Sequence, residues 1–376
     1  MADITAIDLH NLTSSEEVAN IIETSAKTLI NNPELANSMP AIMLRGAPGV
    51  GKSTIVRTVA EKLGIGFIDV RLAQMERVDF AGLPSIKNDM TEWNVPSFWP
   101  RDKKSKGIIL LDEITSAPSD CQVAAYSVVL DRRIPNSNYV LPDGWLIVAA
   151  GNRTCDRAVV KTMSSALANR FMHFEVEANA DDWVKWATMN EINPAVVGFI
   201  NYRPGNLFKM EGQNLEQGWP SPRSWERVSN CIKTFGSDSN VLRKVVYGLI
   251  GNGVGLEFME FFKMSTEFDT ILEIMLNEKK EFNLPDKADR RYAIASAVVY
   301  HLWNGNTEDD TEARVNGFYK ILMKMPNDFA AMMIRSAMLG NKSVTPMDAM
   351  KKIMMNKNYA AAAKQFAAAS KNIGTL

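Results

Sequence analysis

The sequence predicts an α/β fold in which helices flank a mostly parallel β-sheet, followed by an all-helical region. Five short apolar runs alternate with helical patterns in the first part of the chain: 41–45, 67–70, 108–111, 146–150 and 171–176. Strands of a parallel sheet are apolar in this way because helices cover both of their faces. Alternation of such strands with helices indicates βαβ units. No similar run follows residue 178, and helical patterns dominate from there on.

Start and stop signals support the first two helices. Residues 14–31 are expected to be helical, since Ser14 or Ser15 can cap the start and Pro33 follows the end. Residues 52–63 form the second predicted helix, and its apolar residues share one stripe: Ile55, Val56, Val59 and Leu63.

A third helix is predicted over residues 117–132, with Pro118 in its first turn. Its inward-facing residues are expected to be Val123, Ala124 and Leu130. After it, the segment IPNSNYVLP is typical of a β-hairpin, because two strand-like runs flank the turn residues Asn136, Ser137 and Asn138.

Composition excludes several classes of protein. The chain has 376 residues, of which 46% are hydrophobic, too many for a disordered protein. Its 42 basic and 43 acidic side chains give a net charge of −1, which argues against a surface that coats nucleic acid. Three scattered cysteines and three scattered histidines indicate neither a disulfide framework nor a zinc site. No run is apolar enough to span a membrane or direct secretion, so a cytoplasmic protein is expected.

The segment GAPGVGKS matches the phosphate-loop pattern G-x-x-x-x-G-K-[ST]. Glycines let backbone N–H groups close around phosphate oxygens, and the helix that follows directs its positive end at the anion. Lys52 is expected to reach the β- and γ-phosphates, and the Ser53 hydroxyl to bind Mg²⁺. The alternative is a chance glycine turn. The predicted nucleotide-binding residues are Gly46, Ala47, Pro48, Gly49, Val50, Gly51, Lys52, Ser53 and Thr54.

Polar side chains also follow two other apolar runs. Asp112 and Glu113 come directly after the run at 108–111, and Asn152 follows the run at 146–150. Ligands bind at the carboxyl ends of parallel strands, so these side chains are expected to meet at one edge of the sheet. Asp112 is suited to hold Mg²⁺, Glu113 to polarise a water molecule and Asn152 to orient that water. The alternatives are a solvated acidic turn and an ordinary asparagine turn.

The order of GAPGVGKS, LLDEI, AAGN and ALANRF resembles that of the AAA+ ATPases. The segments DFAGLP (79–84), TEWNVPSFWP (91–100) and RRIPNSNYVLPDGW (132–145) further resemble the MoxR branch, which carries an insert in its second helix and a hairpin before the sensor strand. The resemblance extends over about 35–235. It does not cover the last third of the chain. The loss of strand-like runs predicts a boundary near 178–182, and the segment FNLPDKADRR predicts another near 282–291. Three domains are therefore expected: a nucleotide-binding α/β domain at 1–178, a helical lid at 179–282 and a helical C-terminal extension at 283–376.

The resemblance also implies two arginine roles. Arg170 matches the arginine finger that acts on ATP held by a neighbouring subunit, and Arg223 matches the second sensor at the start of a lid helix. A guanidinium suits both roles, because it is always charged and can grip two phosphate oxygens. For each, a surface salt bridge is the alternative, and Arg157 is a second candidate at the subunit boundary.

The family resemblance implies an ATP- and Mg²⁺-dependent ATPase that forms a ring of six subunits and remodels or assembles a partner protein. ATPases of this family often work with a protein that carries a von Willebrand factor type A domain, and the resemblance implies such a partner here. In this family the insert with Trp93, Phe98 and Trp99 faces the pore or the top of the ring, and the alternative is a small core under a long loop.

Two other functions compete with this reading. One is a nucleic-acid motor, supported by the basic segment RDKKSK (101–106) and opposed by the near-neutral charge. The other is a switch that binds ATP with little turnover, which the complete Asp112–Glu113 pair makes less favourable.

Overall fold

The computed structural model describes residues 12–153, 163–210, 217–236, 238–266, 270–277, 280–305 and 308–370. The chain divides into two compact units, residues 1–177 and residues 178–376. The first unit contains a β-sheet with flanking helices, whereas the described residues of the second unit form helices and no strand. The α/β part and the helical part predicted from the sequence are therefore both present.

Eight strands are described in the first unit: β1 Leu12–Thr13, β2 Ala41–Arg45, β3 Gly66–Arg71, β4 Leu83–Lys87, β5 Met90–Asn94, β6 Gly107–Asp112, β7 Trp145–Gly151 and β8 Phe171–Val176. Six of them form one sheet in the order β1-β8-β2-β7-β6-β3, and every pairing in it is parallel. The five strands predicted from the apolar runs are confirmed. The two-residue β1 and the separate pair β4–β5 were not predicted.

The helices of the first unit are α1 Ser15–Asn31, α2 Lys52–Leu63, α3 Arg77–Ala81, α4 Ser119–Asp131 and α5 Ser165–Ala168. Ser14 caps α1 in a capping box, in which its hydroxyl accepts from Glu17 N and the Glu17 carboxylate accepts from Ser14 N. The helix α2 has the predicted bounds and ends at Gly64, whose φ of 64° is the left-handed conformation common after helices.

For α4 the structure confirms that Ala124 faces the core, whereas the prediction for Val123 was wrong and Leu130 is only half-buried. Val123 is 67% exposed, and Pro118 precedes the helix as its N-cap. The buried residues of α4 recur at helical spacing: Cys121, Ala124, Ala125 and Val128. Close packing of α4 favours this small-residue stripe, which places Val123 on the opposite side of the helix.

The hairpin predicted around residues 136–138 is reduced to a loop closed by one antiparallel bridge between Arg133 and Val140. The regular hairpin of the unit is the pair β4–β5 instead. Its turn residues Asn88 and Asp89 have φ values of 52° and 58°, which suit the right-handed twist of a two-residue hairpin.

The aromatic residues of the 91–100 loop differ in their surroundings. Trp99 is 1% exposed within the core of the first unit, and its Nε1 donates to Phe80 O at 3.0 Å. The Phe80 ring meets the Trp99 ring edge-on, with centroids 5.2 Å apart, and Phe98 packs beside them. Trp93 lies on β5 and is half-buried. Trp99 and Phe98 therefore hold the loop on the core.

The second unit is built from helices around two apolar clusters. Its helices are α6 Ala180–Met189, α7 Pro194–Tyr202, α8 Pro222–Phe235, α9 Ser239–Ile250, α10 Asn252–Thr266, α11 Ile271–Leu276, α12 Ala288–Trp303, α13 Glu308–Leu322, α14 Asn327–Ala337, α15 Pro346–Met354 and α16 Tyr359–Ser370. One cluster contains Trp225 and Phe258, and the other contains Phe318 and Tyr319. Within the described ranges, no helix has both the length and the apolar character needed to cross a bilayer.

Replacement of Trp99 by alanine is expected to destabilise the first unit by about 3–5 kcal/mol, because it opens a cavity and leaves Phe80 O without its donor. Trp93→Ala is the matched control and is expected to cost less than about 1 kcal/mol, since that ring is half-buried on the hairpin. Urea unfolding followed by circular dichroism measures both. Equal losses of stability for the two variants would contradict this assignment of the core.

Candidate active site

The phosphate loop connects β2 to α2 and needs glycine at several positions. Gly49 and Gly51 have φ values of 82° and 100°, a region that side chains disfavour. A Cβ on Gly46 would lie 2.5 Å from Val176 O, so no side chain fits there. Ala47 and Val50 are buried and anchor the loop. Its small residues thus leave the backbone N–H groups at the start of α2 accessible to an anion.

Lys52, the first residue of α2, is only 8% exposed. Its Nζ donates to Gly46 O at 2.7 Å, to Ala47 O at 3.0 Å and to Asn152 Oδ1 at 3.4 Å. A buried ammonium needs such acceptors to offset the cost of desolvation. The phosphate loop thus holds the charge of Lys52 beside the end of β7.

Ser53 and Asp112 meet directly, although they are far apart in sequence. Ser53 Oγ donates to Asp112 Oδ2 at 2.6 Å, and Glu113 N donates to Asp112 Oδ1 at 2.9 Å. A hydroxyl and a carboxylate are hard oxygen donors, and Mg²⁺ is usually held by one or two carboxylates together with nucleotide phosphates. The pair therefore fits Mg²⁺ brought by a nucleotide. Elsewhere in the described residues, no group of three or more His, Cys, Asp or Glu side chains could hold a metal.

Glu113 follows β6 in a left-handed conformation, with φ 57° and ψ 30°. A non-glycine residue in this region is uncommon and is often found at functional sites. The residue is exposed, and no hydrogen bond or ion pair of its carboxylate occurs within the described ranges. This carboxylate is therefore available to a water molecule.

Asn152 is placed by the order of the strands. It follows β7, which lies between the phosphate-loop strand β2 and the Asp112 strand β6. Its backbone N donates to Thr115 Oγ1 at 3.2 Å. The next residue, Arg153, forms an ion pair with Glu175 at 2.8 Å. Interactions on both sides thus fix the segment that carries the Asn152 amide.

Asp69 on β3 contributes negative charge near this edge of the sheet. Burial raises the pKa of its carboxyl, and the nearby charge of Asp112 raises it further. Arg71 and Arg57 partly offset the rise, and their guanidinium groups lie 3.7 Å and 3.6 Å from Asp69 Oδ2. Arg57 and Arg71 thus balance part of the negative charge that Asp69 and Asp112 bring to neighbouring strands.

The first unit thus brings together five of the predicted site residues: Lys52, Ser53, Asp112, Glu113 and Asn152. Arg170 is exposed in the same unit, with its guanidinium carbon 6.0 Å from the centre of the Tyr126 ring. Arg223 is exposed in the first turn of α8, in the second unit. Arg157 lies outside the described residues.

Thr115 is a site residue that sequence reasoning missed. It is 4% exposed and contacts the backbone of Asn152 through its hydroxyl. The sequence around Thr115 does not indicate whether its side chain is buried or exposed to solvent. Its role becomes visible only through the contact with Asn152, which follows another strand.

A known protein family matches the part of the chain that carries these residues. Residues 41–171 match the family model described as AAA domain (dynein-related subfamily). This segment contains the phosphate loop, Asp112, Glu113 and Asn152.

Individual relatives are distant from this chain. A Lon protease from Metamycoplasma arthritidis is 29% identical over 111 residues, which span 29% of this chain and 13% of that protein. A solved mutant of RuvB from Thermotoga maritima is 16% identical, with 76% of this chain and 84% of that chain covered and a TM-score of 0.38. NtrX from Brucella abortus is 14% identical, with 91% and 66% covered and a TM-score of 0.30.

Gly46→Ala in the phosphate loop is expected to weaken nucleotide binding by at least about tenfold, because its Cβ must push the loop away from Val176. Titration with a fluorescent ATP analogue in the presence of Mg²⁺ measures the affinity. Gly205→Ala is the matched control, since a Cβ there meets nothing within 4 Å. Unchanged affinity in Gly46→Ala would show that the loop tolerates the displacement.

Proposed function

We propose that this chain binds ATP with Mg²⁺, hydrolyses it to ADP and phosphate, and works as a MoxR-like AAA+ ring protein that remodels or assembles a partner protein. The observation that carries the proposal is the convergence of three strand ends. They bring Lys52 Nζ to 3.4 Å from Asn152 Oδ1, and the adjacent Ser53 Oγ to 2.6 Å from Asp112 Oδ2.

Phosphate binding follows from the loop and Lys52. The backbone N–H groups at the start of α2 bind phosphate oxygens, with support from the positive end of that helix. In this proposal Lys52 exchanges an acceptor that it now holds, Asn152 Oδ1 at 3.4 Å, for a phosphate oxygen. Ser53 and Asp112 would hold Mg²⁺, which would supply positive charge to offset the charge of the transferred phosphoryl group.

Water activation is assigned to Glu113 and Asn152. The exposed carboxylate of Glu113 accepts a hydrogen bond from the attacking water and draws its proton. The Asn152 amide lies between the phosphate loop and Asp112, where it can hold the water in line with the γ-phosphate.

Arg170 is proposed as the residue that completes a neighbouring active site. Its guanidinium is exposed and, within the described part of the chain, forms no ion pair. A charged side chain held over the Tyr126 ring is oriented yet available to an anion on another subunit. Arg223, in the first turn of α8, is proposed as the second sensor because of the resemblance to AAA+ ATPases.

The proposed ring is expected to contain six subunits because of the resemblance to the MoxR branch. The proposed client is a protein with a von Willebrand factor type A domain. The segments that carry this resemblance include one end of β4 and most of β5, and the hairpin of these two strands exposes Ile86.

The first test is steady-state ATP hydrolysis per subunit over a wide range of protein concentration. The specific rate is expected to rise with concentration, because each site needs a group from its neighbour. Glu113→Gln, which retains the size of the side chain and loses the base, provides the blank. No rate above that blank at any concentration would contradict the proposed enzyme and favour an ATP-binding switch.

Mixing two inactive variants tests whether Arg170 acts on the neighbouring subunit. Arg170→Ala supplies an intact Glu113, and Glu113→Gln supplies an intact Arg170. In an equal mixture, about half of the sites contain an intact Glu113, and about half of those face a neighbour with an intact Arg170. A randomly mixed ring is therefore expected to recover about a quarter of the wild-type rate. Arg170→Ala mixed with the double variant is the control, and it should recover nothing. Full activity of Arg170→Ala alone would overturn the assignment.

A further inference from the structure

We infer that Thr115 is a positioning residue that fixes the Asn152 amide relative to Glu113. This inference rests on the proposed ATPase function and adds a residue to it. Thr115 lies two positions after Glu113 and, through space, next to the residue that follows β7. It therefore connects the two turns that carry the groups assigned to the attacking water.

On one side, Thr115 belongs to the same turn as Glu113. Residues Ile114–Ser116 form a short 3-10 helix, and Ser116 N donates to Glu113 O at 2.9 Å. Gln122 Nε2, from α4, donates to Ile114 O at 2.9 Å. The turn is thus tied both to the left-handed Glu113 and to a helix of the core, so Thr115 has little freedom to move relative to Glu113.

On the other side, Thr115 lies against the backbone of Gly151 and Asn152. A Cβ on Gly151 would be 2.6 Å from both Thr115 Cγ2 and Thr115 Oγ1. Thr115 Oγ1 accepts from Asn152 N at 3.2 Å. The close approach requires glycine at position 151, and the hydrogen bond then sets where the chain leaves β7.

The position of the Asn152 side chain depends on the hydrogen bond between Asn152 N and Thr115 Oγ1. Its Oδ1 is 3.4 Å from Lys52 Nζ, and the next residue is held by the ion pair of Arg153 with Glu175. A shift of about 1 Å in a group that orients a reactant can cost about a hundredfold in rate. Thr115 is therefore expected to influence turnover without contact with nucleotide.

Thr115→Val separates this role from simple packing. Valine keeps the shape of the side chain and removes the acceptor, which leaves Asn152 N without a partner. The variant is expected to lower kcat by about tenfold, while KM for ATP and the affinity for a fluorescent ATP analogue change by less than about twofold. Thr115→Ser restores the acceptor and is expected to recover most of kcat.

A double-mutant cycle with Asn152→Ala tests the route of the effect. If Thr115 acts through Asn152, adding Thr115→Val to Asn152→Ala lowers kcat no further. A further tenfold loss in the double variant would overturn the inference, because Thr115 would then act independently of Asn152. Wild-type kcat in Thr115→Val would also overturn it.

The controls distinguish failure of this inference from failure of the proposed function. Thr28→Val removes a hydroxyl that donates to Thr24 O within α1, and it is expected to retain wild-type kcat. Thermal unfolding of every variant reports any general loss of stability. Absence of turnover in the wild-type protein would overturn the proposed ATPase together with this inference. Wild-type turnover with no effect of Thr115→Val would overturn the inference alone.

Discussion

The parallel arrangement of β2, β7 and β6 is the constraint on which the rest of the first unit depends. Because the three strands run the same way, their carboxyl ends lie along one edge of the sheet. Since β7 lies in the middle, Asn152 emerges between the phosphate loop and Asp112. A different strand order with the same sequence motifs would separate these groups.

Several locally unfavourable features occur at this edge. The ammonium of Lys52 is nearly buried, Glu113 adopts a left-handed backbone conformation, and Asp69 is held near the charge of Asp112. Each feature has a cost in free energy that the packed sheet must offset. The strands β6 and β7 contribute to this offset, because nearly every residue in them is buried in the core.

Small residues at the site serve to bring backbones together. Gly46 allows the phosphate loop to approach the end of β8, and Gly151 allows Thr115 to reach the backbone after β7. In both places the main chain of the glycine lies directly against another segment, namely Val176 at the end of β8 or the side chain of Thr115. Substitutions there act through displacement of whole segments, which makes the site sensitive to residues that never touch a ligand.

The sequence by itself determined the five central strands, the capped helix after Ser14 and the phosphate loop, because hydrophobic periodicity and glycine content act over a few neighbouring residues. Only the tertiary structure decided which side of α4 faces the core, where Cys121 is buried and Val123 is exposed. It also decided that Thr115 contacts Asn152. These outcomes depend on packing between segments distant in the chain, and local sequence patterns carry no record of which segments will meet.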